Sequence, residues 1–166
     1  MTQLAHFDAP PTDHHLAEFN WGILRYDWGD PRIAEFETNL DRVNAVAART
    51  DGFIWQMPSE QMESAQLDPA GPFGGNPRLA STLSVWRDPE SLKHFVWNTL
   101  HQKFLRRGPE WFADQPLRLV MWWVPIGERP TIEDAVRRLE ILKEQGDGPT
   151  AFGWSYLKSQ HRASDA

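Results

Sequence analysis

Cysteine is absent from this chain of 166 residues, which removes structural disulfides, Cys-based zinc sites, iron–sulfur ligation and thiol nucleophiles together. Basic residues are in the minority. Against 23 Asp and Glu stand 17 Lys and Arg, and a net charge of −6 provides no basic face for a nucleic-acid backbone. The longest apolar run, Leu119 to Pro125, is far too short to span a bilayer, and Met1 to Thr12 lacks the apolar stretch of a signal peptide. A cytoplasmic protein with no nucleic acid and no membrane among its partners is the expectation. The Gly71-Pro72-Phe73-Gly74-Gly75 segment has neither the lysine nor the spacing of a phosphate loop, and no GxSxG, HExxH or EF-hand pattern occurs. Rings, by contrast, are plentiful. Nine Trp and nine Phe in a chain of single-domain length imply a very aromatic core or an apolar cavity with aromatic walls.

A lead over residues 1–13 precedes one domain over 14–158, and residues 159–166 read as a disordered tail. Alternation over Leu16 to Arg25 predicts a strand, with Ala17, Phe19, Trp21 and Ile23 on one face and Glu18 and Asn20 on the other. Asp30-Pro31 supplies an N-cap and a first-turn proline, and Ile33, Phe36, Leu40, Val43 and Ala47 continue a helix to about Arg49. Phe53 to Met57 reads as a strand carrying Phe53, Trp55 and Met57 on one face, and Pro58 to Arg78 as a long loop, either a disordered insertion or a lid. Leu79 to Trp86 is strand-like, after which Asp88-Pro89 repeats the cap-and-proline device before a second helix running to Phe104. Arg118 to Val124 is a strand apolar on both faces, so each side needs a cover, and a partner's sheet is the economical one for the second. A homodimer follows. Thr131 and Asp134 resemble a capping box before a third helix ending near Gly146, and Ala151 to Leu157 reads as a last strand. Strand, Asp-Pro and helix in both halves suggest a ferredoxin-like βαββαβ unit with an added C-terminal helix and strand, an α+β fold.

Candidate chemistry centres on the second helix. His94 and His101 lie seven residues apart, roughly 10 Å along a straight helix, too far to ligate one metal ion together. His101 acting singly as a general base suits an imidazole against an apolar wall, while a helical histidine that faces solvent or is simply hydrogen-bonded is the competing structural reading. Trp86, Trp97, Trp111 and Trp122 are candidate walls of a substrate cavity, although aromatic stripes are more often plain core. Glu18 and Asn44 are candidate polar groups at its end, against the simpler readings of a wet strand face and a solvent-facing amide. Lys103, Arg106 and Arg107 complement a helix C-terminal dipole. His14-His15 points to opposite faces of a strand and cannot chelate.

Ser84-Val85-Trp86, His101 with Arg107, Glu110-Trp111-Phe112, Met121-Trp122-Trp123-Val124-Pro125, Gly127 and Arg129-Pro130-Thr131 resemble the domain of unknown function 3291 family. That family sits with the antibiotic biosynthesis monooxygenase-like proteins of the dimeric α+β barrel superfamily. The resemblance extends over Leu16 to Tyr26, Asn39 to Asn44, Gly52 to Trp55 and Gly148 to Phe152, with a long Pro58 to Arg78 connection and Gly108-Pro109 as departures. It implies a sandwich whose sheet pairs with a partner's sheet into a barrel. The superfamily hosts cofactor-free monooxygenases and cyclases, haem enzymes and proteins without known catalysis, so fold alone does not choose among them. Three readings follow. One is a cofactor-independent, monooxygenase-like or cyclase/isomerase enzyme acting on a flat apolar metabolite with His101 as general base and no metal. The others are a non-catalytic binder of such a ligand, and a haem protein using His94 or His101 as axial ligand.

Overall fold

The computed structural model describes residues 11–113 and 118–157, which leaves the expected tail over 159–166 and most of the lead outside the described residues. Strands β1 (His14–Ile23), β2 (Phe53–Gln56), β3 (Leu79–Trp86) and β4 (Leu119–Pro125) form one antiparallel sheet of order β2-β3-β1-β4. β1 is paired on both sides, from Leu16↔Trp86 to Ile23↔Leu79 with β3 and from His14↔Pro125 to Asn20↔Leu119 with β4. The fold is α+β, as the alternation and the Asp-Pro caps imply.

Helices α1 (Ala34–Arg49), α2 (Ser59–Leu67), α3 (Pro89–Asn98), α4 (His101–Arg106), α5 (Gly108–Trp111) and α6 (Ile132–Gln145), with a short helical stretch at 154–157, surround the sheet. None is long and apolar enough to cross a membrane. Their starts follow the sequence signals. Asp88 Oδ1 accepts from the Ser91 N–H at 2.8 Å, and Thr131 and Asp134 close a reciprocal capping box at 3.1 and 3.0 Å. Asp30 caps a short 3₁₀ turn, Pro31–Ile33, that leads into α1.

Four expectations are corrected. The 58–78 segment is not a structureless loop: it carries α2, whose Met62 and Gln66 are buried on the sheet, a helix hidden by its scarcity of apolar residues. The second helix is broken at Thr99, whose hydroxyl donates to the Phe95 carbonyl at 2.6 Å and accepts from the His101 N–H at 3.2 Å, replacing helical bonds with side-chain ones. Ala151 and Phe152 make only isolated bridges, to Gly148 and Met121, and residues 154–157 turn helical, so no last strand forms. Finally, β2 shifts register between Phe53 and Trp55, so Phe53 joins Trp86 on one face while Trp55 pairs with Val85 and packs with Met57 on the other.

Both sheet faces are apolar and both are covered from within the chain. On one face Leu16, Trp86 and Met121 pack beneath α1, α3 and the Phe152 to Leu157 segment. On the other, Ala17, Phe19, Leu83, Val85, Val120 and Trp122 meet α2, α6 and Phe73. The two apolar sides of β4 are thus satisfied without a partner subunit.

Gly52 ties the two halves of the domain together. Its φ of 91° lies in the left-handed region, and a Cβ there would stand 2.0 Å from Ser91 Oγ, which Asp88 already holds at the start of α3. Gly52→Ala is therefore expected to cost about 2–3 kcal/mol, combining backbone strain with a clash against fixed atoms, and to lower the urea midpoint without changing the far-ultraviolet circular dichroism of the fold that remains.

Candidate functional site

β1 is central and fully paired, so its alternation assigns every side chain to one layer or the other. Leu16, Glu18 and Asn20 face α1 and α3. Glu18 stands beside Ser84 on β3 and Met121 on β4, and Ser84 stands beside Gln56 on β2, which makes a cross-strand row. Glu18 is only 4% exposed, yet no Lys, Arg or His binds it among the described residues. Its carboxyl takes one bond per oxygen instead: Asn20 Nδ2 donates to Oε1 at 2.6 Å and Ser84 Oγ donates to Oε2 at 3.2 Å. The Ser84 hydroxyl is oriented in turn, because Trp86 Nε1 donates to its oxygen at 3.0 Å. Burial pushes Glu18 up to about 7, the two donors opposing the shift without cancelling it.

The chain of contacts continues from Trp86 to His101. The Trp86 ring stacks on Phe95 with centroids 5.4 Å apart, and Phe95 meets the His101 imidazole at 4.8 Å. His101 reaches this position because the helix breaks at Thr99. Its Nδ1 lies 3.3 Å from the Val96 carbonyl, an oxygen that only accepts, so Nδ1 carries the hydrogen and Nε2 keeps its lone pair. Nε2 has no partner among the described residues. Burial holds His101 below the usual imidazole range, the Val96 bond acting weakly the other way.

The remaining expected site residues fare unevenly. Asn44 lies half-buried on α1, and its Oδ1 accepts from Gln56 Nε2 at 3.3 Å, which places it over the same sheet face as Glu18. The four tryptophans do not wall one cavity. Trp86 belongs to the Glu18 face and Trp122 to the opposite one, where Arg138 lies 5.9 Å over its ring; neighbouring register pairs Leu16↔Trp123 and Ala17↔Trp122 enforce that separation. Trp111 is buried in a third cluster with Leu24, Ile33 and Phe36, beyond the end of the sheet face. Trp97 is 46% exposed on the outer side of α3. His94 is exposed too, with Asn98 as its neighbour at 3.4 Å. Among the described residues no group of three or more acidic or imidazole side chains gathers to hold a metal ion. Ser84 escaped the sequence reading, since a serine in an apolar strand declares its role only once the register sets it beside Glu18.

A ligand-sized depression exists on the other face. It is an open cleft of about 460 Å³ between Trp55 and Met57 on one side and Arg129 with the start of α6 on the other.

The raised Glu18 pKa has a measurable consequence for stability. Below about 4.5 the carboxyl is protonated in folded and unfolded chains alike, and as pH rises from there toward 7 the unfolded chain releases a proton that the folded one retains. The Glu18 contribution is thus fully present in acid and lost on passing through about 7, up to about 3 kcal/mol in all. In urea titrations between pH 4 and pH 8, the difference between wild type and Glu18→Gln is expected to shift by that amount in favour of the variant; a pH-independent difference would contradict a buried, unpaired acid.

No curated protein matches the chain. A crystal structure of a protein of unknown function from Nitrosomonas europaea is similar at 10% identity, with 73% of this chain and 97% of that chain covered and a TM-score of 0.45. The family described as Domain of unknown function (DUF3291) matches residues 15–166, and since that span takes in all of the sheet but its first residue, the helices and every residue of the Glu18 and His101 layer, the chain belongs to this family.

Proposed function

We propose that the protein is a small-molecule enzyme that moves a proton on a flat, largely apolar metabolite, with His101 as general base and Glu18 as the second proton-carrying group. The observation that carries this reading is the placement of Glu18 and His101 in one apolar layer, joined through Ser84, Trp86 and Phe95, neither with an ion-pair partner, where burial raises the Glu18 carboxyl to about 7 and holds the His101 imidazole below its usual range. A buried acid with no cation is costly to folding, so its presence in the middle of a sheet favours a chemical role over a structural one.

α1 is the layer through which a substrate would enter. It buries only Ala47, while Leu40, Val43, Asn44 and Val46 on its inner side remain half-buried. Asn44, Gln56 and Asn20 supply polar contacts at the sheet, and Trp86 and Phe95 an apolar flank. His101 is neutral at pH 7, and Nε2 is its accepting atom. Taking a proton from an activated phenolic or enolisable carbon leaves an electron-rich anion, which isomerises or closes a ring and recovers its proton from the Glu18 carboxylic acid. The same anion reacts with dioxygen where the product is a ketone and water. No cofactor is needed for any of these steps.

The strand order β2-β3-β1-β4 supports reading the domain as a ferredoxin-like βαββαβ sandwich of the antibiotic biosynthesis monooxygenase-like kind. A homodimer rests on that kinship alone, since both faces of the sheet are covered internally.

Deuterium exchange tests the proton transfer without requiring the later chemistry. Anthrone, 2-tetralone and planar 1,3-diketones incubated with the protein in D2O are expected to gain deuterium at the activated carbon, read by mass spectrometry. His101→Gln should slow exchange about 100-fold or more, and Glu18→Gln should remove its dependence on pH near 7. Exchange that survives in a folded His101→Gln variant, or that appears with none of these ketones, would overturn the reading.

A further inference from the structure

The open cleft across the sheet from Glu18 and His101 is untouched by the acid–base reading. We propose that it is a binding site for a planar aromatic monocarboxylate, whose ring lies on the Trp55 indole and whose carboxylate is held by Arg129.

The site is built from three separate parts of the chain. The shift in β2 turns Trp55 and Met57 toward the face shared by Val85, Gln61 projects from the first turns of α2, and Thr131 and Glu133 open α6. The space between them, about 460 Å³, is in the range of small-molecule sites. Beside it lies a second hollow of about 180 Å³, lined by His15, Val85 and Ile54, and the two share Trp55 and Arg129. Arg129 therefore stands over the middle of a continuous depression, its guanidinium carbon 5.6 Å from the Trp55 ring centroid.

Two features of Arg129 define the ligand. First, it forms no ion pair and no hydrogen bond with any described residue, although Glu128 and Glu133 also line the two hollows. Eight other arginines, Arg25, Arg32, Arg78, Arg87, Arg107, Arg118, Arg137 and Arg138, are held by carboxylates or carbonyls. Its planar fork of donors is thus free for a carboxylate, which it matches in a bidentate manner. Second, its approach to Trp55 is loose, at the outer limit of cation–π contact, so a flat ring can take the indole face while the guanidinium shifts to the ring's acidic end. Thr131 adds a donor: its oxygen accepts from the Asp134 N–H, which leaves the hydroxyl hydrogen to turn outward. Glu128 and Glu133 set the upper limit on charge, because a phosphate dianion would meet two carboxylates on the rim.

Binding of 2-naphthoate, 2-naphthamide and 2-naphthyl phosphate to the full chain separates these terms. In calorimetric titrations at pH 7, naphthoate is expected to bind at least tenfold more tightly than the amide or the phosphate ester, with the Trp55 indole N–H resonance shifting in proton–nitrogen spectra. Arg129→Gln should bring naphthoate down to the level of the amide, and Arg129→Lys should recover only part of the loss because the bidentate fork is gone. Trp55→Leu should weaken acid and amide alike. Equal affinity for acid and amide in the wild type, or naphthoate binding unchanged in Arg129→Gln, would overturn the proposal. So would binding that is lost in His101→Gln and kept in Arg129→Gln, which would assign the ligand to the opposite face.

Discussion

β1 is hydrogen-bonded along both edges, so its side chains have only two directions available, into one packed layer or the other. The rest of the molecule is arranged around that constraint. Ala17 and Phe19 require a cover on one side and Leu16 on the other, and the chain supplies both, with α2 and α6 over the first set and α1, α3 and the Phe152 to Leu157 segment over the second. β4 has the same two-sided character, alternating Met121 and Trp123 with Val120, Trp122 and Val124. A sheet apolar on both faces usually signals helices on both sides. This one meets that requirement with helices from connections on either side of the sheet.

Within this frame Glu18 is the expensive residue. A carboxyl in the position a leucine would fill loses its water, and its two hydrogen bonds return only part of that cost. The donors are placed so that each oxygen receives one and neither receives a cation. An adjacent Arg or Lys would have driven the pKa down and fixed a permanent carboxylate; full isolation would have fixed a permanent neutral acid. One amide and one hydroxyl leave the group between these limits, near 7, where small changes in its surroundings decide whether the proton stays. Trp86 matters to that balance at one remove, because its indole N–H occupies the Ser84 oxygen and leaves the hydroxyl hydrogen for Glu18.

How much of this was legible in the sequence depends on the range of the interaction. Local signals were readable: the Asp88 cap, the Thr131–Asp134 box, and the alternation that put Glu18 and Asn20 opposite Phe19 and Trp21 all act within four residues and all hold in the structure. Interactions that depend on pairing were not. Ser84 becomes a partner of Glu18 through cross-strand register, 66 residues away in the chain. The tryptophans illustrate the same limit from the other side, since abundance said that rings would be buried while only topology distributes Trp86, Trp111 and Trp122 among three clusters. α2 was missed for a third reason: a helix of Ser, Glu, Gln and Met contributes two buried residues and almost no apolar periodicity.

β2 carries the consequences of register furthest. It is four residues long and lies at the sheet edge, and a shift between Phe53 and Trp55 breaks its alternation. In a regular strand Phe53 and Trp55 would share a face, and both rings would lie against Trp86 or both against Val85. The shift sends Phe53 edge-on to Trp86 at 5.4 Å, supporting the ring that orients Ser84, and leaves Trp55 against Val85 as the floor of the cleft. Gln56, the next residue, returns to the first face and reaches Asn44 on α1. One irregular edge strand thus supplies a supporting ring and a polar anchor to the layer of Glu18 and an aromatic floor to the opposite side. Edge position is what permits it, because a central strand with the same irregularity would lose ladder bonds on two sides.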